Sequence, residues 1–123
     1  MRGRRWFLDI TRSAQNGVVL LAPSGRLSVS LAPVLRAEIQ RTLNTGTRNL
    51  VIDLAAVDYV SGAGLLVLDE ARLRLDERQG RLILCELTDP VRLVLELAGM
   101  TRLFVVEPSR ERAIAACGDD HEG

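Results

Sequence analysis

The side chains able to do chemistry are few, and most of them gather around one short stretch. Tyr59-Val60-Ser61-Gly62-Ala63-Gly64-Leu65-Leu66 offers a phenol, a hydroxyl and a run of small residues. It follows the apolar run Leu50-Val51-Ile52-Asp53-Leu54 and opens a long helical pattern. The stretch therefore reads as a strand, a short loop and the start of a helix. Unpaired backbone N–H groups at such a start favour an anionic or polar partner. This junction is the first candidate for a regulated or partner-binding surface. Asp53 and Asp58 flank it. Two carboxylates so placed can hold a metal, but acids at the end of a parallel strand more often accept bonds from loop N–H groups. The second reading is preferred, and no metal site is expected.

Elsewhere the chemistry is thin. The single histidine, His121, stands three residues from the end in a polar tail, which leaves no Ser-His-Asp or Cys-His pair. Gly62 and Gly64 do not complete a dinucleotide fingerprint, and the P-loop lysine is absent. No enzyme activity and no cofactor are expected. Cys85 lies inside the apolar run Leu82-Ile83-Leu84-Cys85, and Cys117 ends the last helical pattern. Both read as small buried hydrophobes; a redox switch joining them would need Cα atoms within about 7 Å.

Bulk properties bound the rest. The 123 residues suffice for one domain with a real core, ordered over about 6–117. Aromatics are only 3%, so that core must be built from Leu, Val, Ile and Ala. A formal net charge of zero argues against direct nucleic-acid binding. Arg2, Arg4 and Arg5 make the start basic, and Asp119, Asp120 and Glu122 make the tail acidic; both read as frayed, solvated ends. The start lacks the apolar core of a signal peptide, and no apolar run approaches the roughly 20 residues of a membrane helix. A soluble, cytoplasmic protein without membrane insertion is expected. Oligomeric state is not legible.

The elements that position the junction follow from periodicity and turn chemistry. Trp6–Ile10 and Gly17–Ala22 read as two strands around a polar turn at Ser13–Gly17, which carries the hairpin signal Asn16-Gly17. Pro23-Ser24-Gly25-Arg26 reads as a loop, with Leu27 beginning a short extended piece. A first helix spans about Ala32–Asn44, with Leu31, Leu35, Ile39 and Leu43 in one stripe and Val34 beside them. Ser30 is its expected N-cap. Leu50–Leu54 reads as a buried strand, Gly62–Arg78 as a second helix, and Arg81–Leu87 as the next strand. A third helix begins at Asp89-Pro90, with Asp89 as N-cap and Val91, Val94, Leu95 and Ala98 as its stripe. Leu103–Val106 reads as the last strand. A final helix runs from Pro108 to about Cys117, with Ala113, Ile114 and Cys117 facing inward. Helical crossovers imply parallel strands and right-handed connections. The expectation is one α/β domain: a mixed sheet of four to five strands, an N-terminal antiparallel hairpin and about four helices.

Val51 to Leu68, read through Asp53, Asp58 and Ser61-Gly62-Ala63-Gly64-Leu65, resembles the signature of STAS domains, the anti-sigma factor antagonists and their relatives. Gly25-Arg26-Leu27-Ser28 is similar to that family's turn before the first helix. Leu82–Cys85 and Pro90–Met100 are similar to its following strand and third helix. The resemblance covers roughly Val18 to Ala116. It implies a protein-binding switch that docks on an anti-sigma factor, itself a serine kinase of the GHKL type, and so frees a sigma factor. It also implies a partner-binding surface of Ser28, Val29, Ser30, Asp58, Tyr59, Ser61, Gly62, Ala63, Gly64 and Leu65. In the family the kinase phosphorylates a serine at the start of the second helix. A phosphate adds a charge of about −1.5 to −2 and can destroy a close-packed interface.

The chain departs from the family pattern at that place. The acidic position falls on Ser61, the phosphoacceptor on Gly62 and the next hydroxyl position on Ala63, while Ser28 replaces an acidic residue in the earlier turn. Three readings follow: an antagonist that is not phosphorylated, phosphorylation of Ser61 instead, or a STAS accessory or scaffold subunit of a lipid-transport or stress-signalling complex. For Ser61 an N-cap role is preferred to phosphorylation.

Overall fold

The computed structural model describes residues 8–118. The expected strand start at Trp6, the basic arginines, His121 and the acidic tail lie outside the described residues.

The chain opens with a hairpin, β1 (Asp9–Gln15) and β2 (Val18–Leu27), paired antiparallel. Its turn is only Asn16-Gly17, at φ 53° and 78°. Both positions are left-handed, as the tight hairpin turn that matches strand twist requires. The expected turn from Ser13 was too long, because Ser13 and Ala14 pair with Leu20 and Val19. α1 (Ala32–Asn44), β3 (Asn49–Asp53), β4 (Ala56–Val60), α2 (Gly62–Glu77), β5 (Arg81–Cys85), α3 (Asp89–Leu97), β6 (Val105–Glu107) and α4 (Arg110–Gly118) follow.

The sheet has six strands in the order β1-β2-β3-β5-β6, with β4 attached to β2; every pairing after the hairpin is parallel. The mixed sheet, the hairpin and the four helices match the sequence reading, but six strands replace four to five. The additional strand is β4. β2 spends Val18–Leu21 on β3 and Ser24–Leu27 on β4, so β3 and β4 lie in succession along the same side of one long strand. This also explains Pro23-Ser24-Gly25-Arg26, which is strand and not loop. Pro23 falls between the two parallel pairings, where the break in the ladder tolerates a residue with no N–H.

Helices α1, α2 and α3 cover one face of the sheet. Leu35, Ile39 and Leu43 of α1 share one core with Leu68, Ala71 and Leu75 of α2, Val91 and Leu95 of α3, and Leu21, Leu50, Ile52, Leu82 and Leu84 of the sheet. α4 covers the other face, where Ala113 and Cys117 pack on Val18, Leu20, Val51, Ile83 and Cys85. β3 and β5 are thus buried on both sides, which is why their sequences are apolar almost throughout.

Local details correct several expectations. Ser30 is exposed and does not cap α1; Leu31 occupies that position without a side-chain bond, and its N–H donates to Ser28 Oγ at 3.2 Å. Thr88, not Asp89, precedes α3, and its hydroxyl donates to the Val57 carbonyl at 2.8 Å. Val34 and Ala98 face solvent, because the apolar stripes of α1 and α3 are narrower than their sequences suggest. Leu103 belongs to a short 3-10 turn, Thr101–Leu103, so the last strand starts two residues later.

Candidate functional site

The junction is built where β2 and β4 end side by side and α2 begins. β4 carries a bulge. Gly25 pairs with Val57 and Arg26 with Tyr59, which leaves Asp58 as the extra residue. Side chains alternate along a strand, so Val57 and Val60, three apart, share a face only if one residue is added between them. Both are buried in the larger core. The bulge therefore turns Tyr59 outward, to the face opposite Val60. Its ring carries the Arg26 guanidinium 4.2 Å from the centroid.

Ser61 closes the strand and starts the helix. Its N–H donates to the Leu27 carbonyl at 2.9 Å, and its carbonyl accepts from the Leu65 N–H at 3.0 Å. Its Oγ accepts from the Gly64 N–H at 3.1 Å, and the residue is 7% exposed. Ser61 is a buried N-cap with β-region dihedrals, as expected of that role. Gly62 and Gly64, two residues apart, sit in opposite surroundings. A Cβ on Gly62 would meet nothing within 4 Å. One on Gly64 would lie 2.8 Å from Leu27 Cγ and 3.1 Å from the Leu27 carbonyl oxygen. Gly64 is the close approach that lets α2 pack onto the end of β2.

The ten residues expected at a partner surface thus fall into two groups. Val29, Ser30, Asp58, Tyr59 and Gly62 are exposed, and Val29 is the most open apolar side chain of the ten at 69%. Ser28 and Ala63 are half-buried, while Ser61, Gly64 and Leu65 are buried beneath them. Leu66, 62% exposed, extends the outward group along α2.

Asp53 takes the role preferred for it: Oδ1 accepts from the Ala55 N–H at 2.9 Å. Its other oxygen meets Arg110, at 2.9 Å from Nε and 2.8 Å from Nη2. That hydrogen bond, ahead of other influences, holds the Arg110 pKa above its usual value. The Arg110 N–H also donates to Glu86 Oε2 at 3.1 Å, so the start of α4 is tied to the ends of β3 and β5. Among the described residues no group of three His, Cys, Asp or Glu is placed to hold a metal. Cys85 and Cys117 are both buried, and burial, helped by the nearby Asp53 charge, pushes the Cys85 thiol up to about 12.

Two parts of this arrangement escaped the sequence reading. The Asp53–Arg110 pair joins residues 57 apart, and no local pattern announces it. The Arg26–Tyr59 pair leaves a signal only once 56–60 is known to be a strand, since apolar residues at 57 and 60 in one strand then call for a bulge.

Comparison with known proteins agrees with this architecture. The family model described as STAS domain matches residues 9–113. A Bordetella bronchiseptica protein provisionally named anti-sigma factor antagonist BtrV is 37% identical over 109 residues, spanning 89% of this chain and 94% of that one. The crystal structure of an anti-sigma factor antagonist from Mycobacterium paratuberculosis superposes with a TM-score of 0.82 at 24% identity, over 89% of this chain and 93% of that one. The Bacillus cell fate determinant SpoIIAA in its phosphorylated form gives 0.67 at 17% identity, over 89% and 97%. No helix among the described residues is long and apolar enough to cross a membrane. With a hairpin-led mixed sheet, three helices on one face, and a family match that runs from β1 into α4, this chain belongs to the STAS-domain family.

Proposed function

We propose that the chain is an anti-sigma factor antagonist, a non-enzymatic cytoplasmic module that docks through the β2–β4 rim and the start of α2. Its partner is an anti-sigma factor of the GHKL serine-kinase type, and docking frees a sigma factor. The contact set is Val29, Ser30, Asp58, Tyr59 and Gly62, supported by Ser28, Ser61, Ala63, Gly64 and Leu65. The observation that carries this reading is the open position of Gly62 at the helix start, in a chain 37% identical to the protein named antagonist BtrV. A side chain at Gly62 would project from the surface without disturbing the fold.

Regulation by phosphate at this helix start is absent in this reading. Gly62 has no hydroxyl, and Ser61 spends its buried oxygen on the Gly64 N–H. Phosphorylating Ser61 would break that cap and force a dianion into a site with no room for it.

The test is affinity capture from the native cell with tagged wild-type protein and with Gly62→Asp, followed by identification of what binds. A kinase-fold anti-sigma factor held by the wild type and lost by Gly62→Asp supports the reading. Retention by Gly62→Asp, or capture of a transport complex instead, overturns it. Incubation of the captured kinase with ATP should add one phosphate to Gly62→Ser and none to the wild type, by intact mass.

A further inference from the structure

Resting on that functional reading, we propose that the stacked pair Arg26–Tyr59 is the anchor of the docking surface and that it recognises a carboxylate on the partner. Three features of the structure carry this. First, the β4 bulge at Asp58 serves to aim Tyr59 out of the core, and bulges often re-aim a side chain beside a functional site. Without the bulge the ring would face inward and Val60 outward. Second, Arg26 is exposed and lies 4.2 Å over that ring, yet among the described residues it makes no ion pair or side-chain hydrogen bond. A guanidinium stacked on an aromatic face keeps its edge free, with donors in a planar fork that matches a carboxylate. Third, the second face of the sheet is covered by α4 over β3, β5 and β6, and the Arg26–Tyr59 end of β2 and β4 lies beyond that cover.

Placement and residue type agree with an anchor. Arg and Tyr are enriched among the residues that dominate binding, and their long side chains lose less freedom when already held in place. Leu27, the residue after Arg26, accepts the Ser61 N–H and packs under Gly64, so the pair and the α2 start are parts of one rigid rim. Both positions where the family pattern is acidic, Ser28 and Ser61, are neutral here. Asp58 is the acidic neighbour beside Tyr59. The occupant is therefore an acidic side chain of the anti-sigma factor.

The test uses the full chain and the anti-sigma factor isolated by capture, with affinities from titration calorimetry at several salt concentrations. Arg26→Gln should weaken binding by about tenfold and Arg26→Glu by about a hundredfold. The dependence of affinity on salt should be shallower for Arg26→Gln than for the wild type. Tyr59→Leu, which removes the ring but no charge, should also weaken binding. Arg48→Gln, in the loop between α1 and β3, is the control and should bind as the wild type does. Thermal melts check that each variant is folded. Wild-type affinity and salt dependence in Arg26→Gln and Arg26→Glu, with Gly62→Asp still unable to bind, would overturn this inference and leave the functional reading standing. Binding by Gly62→Asp as well, or capture of no kinase-fold anti-sigma factor, overturns both.

Discussion

Replacing each of the two glycines at the α2 start by alanine should move stability in opposite directions. Gly62→Ala adds a methyl into open space, on backbone that already lies in the ordinary region. Gly loses more backbone entropy on folding than Ala does, so the change should stabilise the chain by about 0.4–1 kcal/mol. Gly64→Ala receives the same entropic gain but places its methyl 2.8 Å from Leu27 Cγ, 3.0 Å from Leu27 Cδ2 and 3.1 Å from the Leu27 carbonyl oxygen. An ordinary carbon–carbon contact lies at about 3.5–4.0 Å. Leu27 is fully buried, and its carbonyl is fixed by the Ser61 N–H, so neither partner can yield freely. Overpacking of this kind costs about 1–3 kcal/mol. The net expectation is a loss of roughly 0.5–2 kcal/mol, which lowers the melting temperature by several degrees in a domain of this size. Urea unfolding of the three proteins, followed by circular dichroism, reads both signs in one experiment. A Gly64→Ala protein as stable as the wild type, or a Gly62→Ala protein less stable by 1 kcal/mol or more, would refute the division of the two glycines into packing and surface roles.

Three further outcomes test the supports of the site. The Cys85 thiol, with its pKa pushed from 9.0 up to about 12, stays protonated in the folded protein, so iodoacetamide at pH 8 should label it only after denaturation. The unfolded thiol ionises first, so this group's contribution to stability is complete below about pH 9 and declines between about 9 and 12; Cys85→Ala should flatten that part of the pH–stability curve. Asp53→Asn keeps an acceptor for the Ala55 N–H but removes the charge that meets Arg110. Because the Arg110 side chain is 46% exposed, solvent screens the pair, and the loss should be about 1–2 kcal/mol by urea midpoint, smaller in 1 M salt. An unchanged midpoint would mean that the pair does not fasten α4.

The sequence carried much of this. Leu35, Ile39 and Leu43 of α1 form a helical stripe, and Leu50–Leu54 and Leu82–Cys85 are apolar on both faces, so local periodicity sufficed to place helices and buried strands. Asn16-Gly17 fixed the hairpin because only residues tolerant of positive φ suit that turn. Ser61 was legible as a cap because its bond to Gly64 spans three residues.

What stayed hidden depends on partners distant in the chain. β4 is a strand because β2 is long enough to pair with it after β3 has ended, and a five-residue run cannot announce the neighbour that makes it one. Pro23 looked like a loop residue until the gap between those pairings became visible. Gly62 and Gly64 are the same letter in the sequence, and only the position of Leu27 distinguishes a glycine that must be small from one that merely is. The bulge at Asp58, which sends Tyr59 to Arg26 and Val60 to the core, is likewise a property of two strands in register. Composition and local pattern determined the helices and the buried strands, but not β4. Long-range pairing alone decided which side chains face a partner, because a strand's outward face is set by the neighbour it pairs with.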